Sequence, residues 1–227
     1  MTRILVGAPF IILGGSFLLL FLRPTRGATL WMLGEDRIVE QLTFVFLLAG
    51  GLIGLRLALA LRATSEAPWI RAFHLVFGLC LILVAMEEIS WGQRLLEFDT
   101  PASLRSLNYQ GETTLHNLGA LQGRSEWMRL GFGLGGLVGI GLSFRPALAG
   151  IGAPMILLPW FLVITGHAAV DALNDLVPID ERFDFAMQRT SEVVELLIGI
   201  AAFLYTLLAF RRLLPSVTAQ ASARQAS

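Results

Sequence analysis

Hydrophobic positions along the chain fall into six long runs, at residues 4–22, 42–61, 69–91, 127–144, 147–173 and 190–210. As helices rising 1.5 Å per residue, runs of this length cross the ~30 Å hydrocarbon core of a bilayer. The pattern predicts an all-α fold: a polytopic membrane helix bundle with six transmembrane helices, in one domain over residues 1–214. The first run is longer than a signal-peptide core and is followed by Arg23 and Arg26, so it reads as a retained span. Gly50, Gly51 and Gly54 give the second run a small-residue face for close helix packing. Glycines at 131, 133, 135, 136, 139 and 141 predict that the fourth is packed tightly or bends. Pro154 and Pro159 predict kinks in the fifth, and Thr190 or Ser191 is expected to cap the sixth.

The polar positions fill the gaps. Pro24 and Gly27 open a predicted loop in which Trp31 is an interfacial anchor. Residues 92–126 form the longest polar stretch. Thr100-Pro101 reads as a helix start, Gln110-Gly111 as a break, and Glu112 and His116 share a face four residues apart. This stretch is predicted to be an interfacial helical segment lying on the membrane surface. Residues 177–189 read as an acidic loop, and residues 215–227 as a disordered tail.

Composition sharpens the class. Hydrophobic residues make up 55% of the chain and charged residues 15%, which excludes an ordinary soluble domain and makes the lipid bilayer the main partner. Seventeen basic residues balance seventeen acidic ones, and no basic run points to nucleic acid. The one cysteine, Cys80, rules out an intramolecular disulfide and a cysteine-based metal cluster. His74, one turn into the third span, reads as a structural or interfacial histidine.

Six spans put both termini on one side, and Glu87, Glu88, Arg94, Glu112, His116, His167, Asp171, Glu192 and Glu195 then share the opposite membrane face. Carboxylates at membrane depth are costly and mark a wet cavity or a protein interior. Two histidines with several carboxylates suit a divalent metal, zinc or alternatively iron or manganese, with His116, His167, Asp171, Glu192 and Glu195 as candidate ligands. The candidate catalytic residues are Glu88, as general base on water, with Glu87 and Arg94. A metal-free version uses Glu88 directly, with the histidines steadying the oxyanion. Two plainer readings are a proton or cation pathway and a polar network that ties helix ends together. Glu192 and Glu195 in a first helical turn also suit the helix dipole. The functional expectation is a hydrolase acting on a membrane-borne lipid or peptide. The alternatives are an ion-coupled transporter, for which repeated halves and paired broken helices are missing, and a non-catalytic membrane subunit. The dense arginines of the short loops, Arg62, Arg145, Arg211 and Arg212, predict cytoplasmic termini in a bacterial inner membrane.

Two resemblances bear on this reading. The strings EEISWGQR and GETTLHN, within residues 87–117, resemble a signature of bacterial multi-pass membrane proteins and imply no particular activity. The Glu-Glu…Arg motif with later histidines is similar to that of the CAAX-protease and bacteriocin-immunity group of intramembrane proteases. The matching positions are Glu87, Glu88, Arg94, His116, His167 and Asp171, and the resemblance implies that the second glutamate, Glu88, and the histidines activate water for peptide cleavage. Arg94 lies two residues further from the glutamates than in that group, and Glu112 takes the place of its phenylalanine.

Overall fold

The computed structural model describes residues 2–34, 37–64, 66–93, 100, 125–177 and 179–225, with side chains up to residue 214. They form seven α-helices: α1 (Thr2–Phe21), α2 (Arg23–Met32), α3 (Ile38–Ala60), α4 (Pro68–Glu88), α5 (Ser125–Ser143), α6 (Leu158–Leu176) and α7 (Glu181–Gln225). Five of them, α1, α3, α4, α6 and α7, are long and apolar enough to cross a membrane, and the chain is an integral membrane protein built as a helical bundle. The fourth predicted span, α5, has 19 residues and a length of about 28 Å, but its glycines and charged first turn leave it less apolar than the others. It lies against α6 and the link that precedes it, from Arg129 beside Asp171, through Gly133 beside Thr165 and Gly136 beside Phe161, to Gly139 beside Ala153 in the link. It therefore runs antiparallel to α6 between the same two levels.

Helix α7 is the centre of the bundle. It packs on α3 along one side, on α6 along another and on α1, while α4 covers α3 and α5 covers α6. Lipid tails are as apolar as leucine, so helices associate here by close backbone approach rather than by a hydrophobic drive. The expected small-residue face of α3 does this. A Cβ on Gly51 would lie 2.9 Å from the Gly78 carbonyl of α4, and one on Gly50 would lie 3.1 Å from the Phe203 backbone of α7. Leu57, Ile164, Val194 and Leu197 are fully buried in the layers so formed.

Prolines account for the main departures from the sequence reading. The predicted span 147–173 does not kink at Pro154 and Pro159. Instead Pro154 is extended (φ −63°, ψ 140°), residues 155–157 make a 3₁₀ turn, and α6 begins at Leu158 with Pro159 in its first turn. A proline there loses no hydrogen bond, because the first helical N–H groups have no partner. Pro24 does the same, so part of the predicted loop is the ten-residue helix α2. The sixth span starts at Glu181, well before residue 190, and Thr190 is not its cap. Its hydroxyl donates to the Ala186 carbonyl at 2.7 Å, within the helix. The helical backbone of α7 continues to Gln225, through most of the tail expected to be disordered. The predicted interfacial segment falls almost wholly on residues outside those described.

The irregular link between α5 and α6 is held by three side chains from two helices. His74 of α4 donates through Nε2 to the Gly150 carbonyl at 3.1 Å, and the Tyr205 hydroxyl of α7 donates to Ile151 O at 2.8 Å. Arg212 donates to Gly150 O at 3.4 Å and to Gly152 O at 3.2 Å. Non-helical carbonyls at this depth need partners, and these bonds supply them. His74 is fully buried, in the structural role its position suggested. The Trp160 indole donates to Leu5 O at 2.9 Å and aligns the start of α1 with the start of α6.

The α3–α4 contact predicts a graded glycine response. Gly78→Leu places a side chain against the Gly51 carbonyl and the Leu55 amide, and lowers stability by about 1–3 kcal/mol. Gly14→Ala meets nothing within 4 Å and leaves stability unchanged. Thermal unfolding of the two purified variants in detergent checks the contrast.

Candidate functional site

The motif at the end of α4 builds an unusual corner. The helix stops at Glu88, and Ser90, Trp91 and Gly92 follow with φ of 48°, 57° and 76°. Glycine accepts the left-handed region freely, but for serine and tryptophan it is strained. The corner is held from both sides. The Gly92 amide donates to Ile89 O at 2.8 Å, and the Trp91 indole N–H donates to the Glu87 carboxylate. The Gln93 amide donates to the buried Thr100 hydroxyl at 2.8 Å. Glu87 is thus a buried acceptor for Trp91. Arg94, the candidate catalytic partner that follows the corner, lies outside the described residues.

Glu88 stands at the meeting point of three helices. The carboxylates of Glu195 and Glu192 from α7, Glu40 from the first turn of α3, and neighbouring Glu87 all act on it electrostatically. Of the predicted site residues, Glu87, Glu192 and Glu195 thus lie within electrostatic range of Glu88, and Glu40 joins them from α3.

The residue that sequence reasoning missed is Arg129. It lies in the first turns of α5, is 5% exposed, and donates to Asp171 Oδ2 at 2.7 Å and to Glu195 Oε1 at 2.9 Å. One guanidinium thereby joins α5, α6 and α7. The available signal was an arginine inside an apolar run, two residues after Trp127, where a charge must find a buried partner. Its Nε has no hydrogen-bond partner among the described residues.

His167 sits one helical turn before Asp171 but turns to a different partner. Its Nε2 lies 2.9 Å from Thr190 Oγ1. The single Thr190 hydroxyl proton is directed to Ala186 O, so the histidine must be the donor in that pair. The lone pair of the neutral ring is then on Nδ1, a buried atom without a partner among the described residues. At the end of α6, Asn174 donates to Asp184 Oδ1 at 3.1 Å and receives the Ile179 amide at 3.2 Å, fixing the turn into α7.

The predicted ligand set is thus divided. Asp171 and Glu195 meet, but on the cation Arg129. His167 is engaged by Thr190, Glu192 lies with Glu88, and His116 is outside the described residues. Among the described residues no group of three or more His, Cys, Asp or Glu side chains is arranged to hold a metal ion. The arrangement offers a carboxylate, Glu88, among other carboxylates at the level where α4 ends, one of which, Glu195, is held by the buried Arg129.

Removing the guanidinium strands two carboxylates. Arg129→Met is expected to cost about 3–5 kcal/mol, the range for breaking a buried ion pair from one side. Asp171→Asn keeps an oxygen acceptor for Arg129 and is the milder change. Thermal unfolding of both variants in detergent measures the difference.

Comparison with family models, with curated proteins and with solved structures finds no match to this chain.

Proposed function

We propose that this integral membrane protein is a hydrolase that acts at one face of the bilayer on a membrane-borne lipid or peptide, with Glu88 as its general base. The observation that carries the reading is the placement of Glu88 at the end of α4, in range of four other carboxylates and beside a strained corner. Strained backbone of this kind collects at functional sites. In the proposed step, the Glu88 carboxylate takes a proton from water as the water oxygen adds to the scissile carbonyl or phosphoryl centre. The proton then passes to the leaving group as its bond breaks. Arg129 is a positioning residue, holding Glu195 beside Glu88 and Asp171 behind it. It already supplies the positive charge at Asp171 and Glu195, two of the side chains expected to ligate a zinc, iron or manganese ion.

An ion-coupled transporter is the second reading, favoured by the gathering of acids from α3, α4 and α7. Hydrolysis in detergent, where no gradient exists, separates the two. Purified protein incubated with an inner-membrane lipid extract and with a panel of apolar peptides is expected to cleave one of them. Glu88→Gln is expected to lower that rate by roughly 10²–10⁴-fold with the fold intact. An unchanged rate in Glu88→Gln removes the assignment.

The orientation belongs to the same proposal. Arg62, Arg71, Arg145, Arg211 and Arg212 are all exposed at the face away from Glu88. The positive-inside rule then places the termini in the cytoplasm and the site on the outer side of a bacterial inner membrane. A fluorescent protein fused to the C-terminus is expected to glow and an alkaline phosphatase to stay silent. The reverse result moves the chemistry to the cytoplasmic face.

A further inference from the structure

We infer that the bundle holds one acyl chain of a bilayer lipid in the cavity of about 290 Å³ between α4, α5, α6 and α7. Its wall is aromatic: Phe73 and Phe77 of α4, Phe132 of α5, Phe161 of α6 and the ring of Tyr205 of α7. The polar atoms at its lower end are already engaged. The Tyr205 hydroxyl donates to Ile151 O, and the Ala153 amide donates to Gly139 O at 2.9 Å.

Size and chemistry select the occupant. The volume is that of roughly ten water molecules at ~30 Å³ each, and a methylene is of similar size. A helix, 10–12 Å across, is far too large for it. A peptide strand would bring N–H and C=O groups into a wall with nothing to satisfy them. A flexible hydrocarbon chain has no such groups. Access is lateral. Gly135 both lines the cavity and is exposed on the outer surface, and a Cβ there would meet nothing within 4 Å. At the next residue, by contrast, α5 is closed, since a Cβ on Gly136 would clash with the Phe161 ring.

The cavity also has a direction. Phe132 is one turn of α5 beyond Arg129, about 4.5 Å along the axis, so the cavity begins beneath the polar face that carries Glu88. A lipid with its headgroup at that face sends its chain downward into the cavity. The lipid's role as substrate rests on the hydrolase reading; occupation of the cavity does not.

The test uses the full chain in vesicles of phosphatidylethanolamine and phosphatidylglycerol that contain a phospholipid with a mid-chain diazirine. After irradiation, adducts are mapped by mass spectrometry. Adducts are expected on Phe73, Phe77 or Phe132 as well as on the outward-facing Val76 and Leu79. Gly135→Leu adds a side chain at the portal, where a Cβ meets nothing within 4 Å. It is expected to lower the cavity adducts roughly tenfold and to leave those on Val76 and Leu79 unchanged. Labelling confined to Val76 and Leu79 in the unaltered protein, or cavity adducts that persist in a helical Gly135→Leu protein, would overturn the proposal. Glu88→Gln is expected to keep the cavity adducts. If they map as expected while no lipid is cleaved, the chain site stands and the hydrolase reading fails.

Discussion

A guanidinium shared by two carboxylates fixes one end of this bundle. Arg129 lies at a depth where an unpaired charge is costly, and the helix that carries it has little else to hold it near the polar face. Helix α5 is rich in glycine, and several of its glycines, such as Gly131 and Gly141, face open space where a Cβ would meet nothing within 4 Å. Its register against α6 is set by Arg129 on Asp171 at one end and by Gly136 on Phe161 further along. Extending the same guanidinium to Glu195 places α7, and α7 places α3 and the glutamates around Glu88. The geometry of the polar face thus depends on an ion pair between helices that are distant in sequence.

The two ends of the bundle solve different problems. At the Glu88 face, acids outnumber the described cation that joins them, and order comes from charge. At the other face, His74, Tyr205 and Arg212 hold the carbonyls of a loop, and order comes from donors meeting acceptors. Between the two, the contact of α3 with α4 and α7 rests on backbone approach at Gly50, Gly51 and Gly54. None of these devices relies on excluding water from apolar surface, the drive that would order a soluble core.

Much of this was legible in the sequence, and the losses have physical causes. Run length identified the membrane helices, because the bilayer sets a minimum length that composition reveals directly. The glycine face of the second span also read correctly. Helix starts read badly near proline. Pro154 and Pro159 signal either a kink or a beginning, and only the partners of the freed carbonyls decide which. Thr190 looked like a cap because hydroxyls favour caps, yet inside a helix the same group can bond the preceding turn. At the site, the convergence of Glu88 with Glu192 and Glu195 followed from topology alone. The i, i+4 spacing of His167 and Asp171 suggested a common ligand, but a shared helix face does not mean a shared partner. Arg129 was hidden because an arginine near the end of an apolar run looks like a flanking charge, and its true partners lie 42 and 66 residues away.

The corner after Glu88 links the fold to the chemistry. Two non-glycine residues in the left-handed region cost of order 1–3 kcal/mol each, and only surrounding contacts make such a conformation persist. Here the Trp91 bond to Glu87 and the Gln93 bond to Thr100 supply them. Had the helix simply continued past Glu88, the next turn of side chains would have stood between that carboxylate and the water beyond it. Ending the helix at Glu88 and reversing the chain leaves the carboxylate at a helix terminus, with its neighbour Glu87 committed to the indole. Of two adjacent glutamates, one is thereby made structural and the other is left to face the acids of α3 and α7. That division of two identical side chains is set by backbone geometry, because the end of the helix at Glu88 and the left-handed turn at residues 90–92 bring the Trp91 indole onto Glu87.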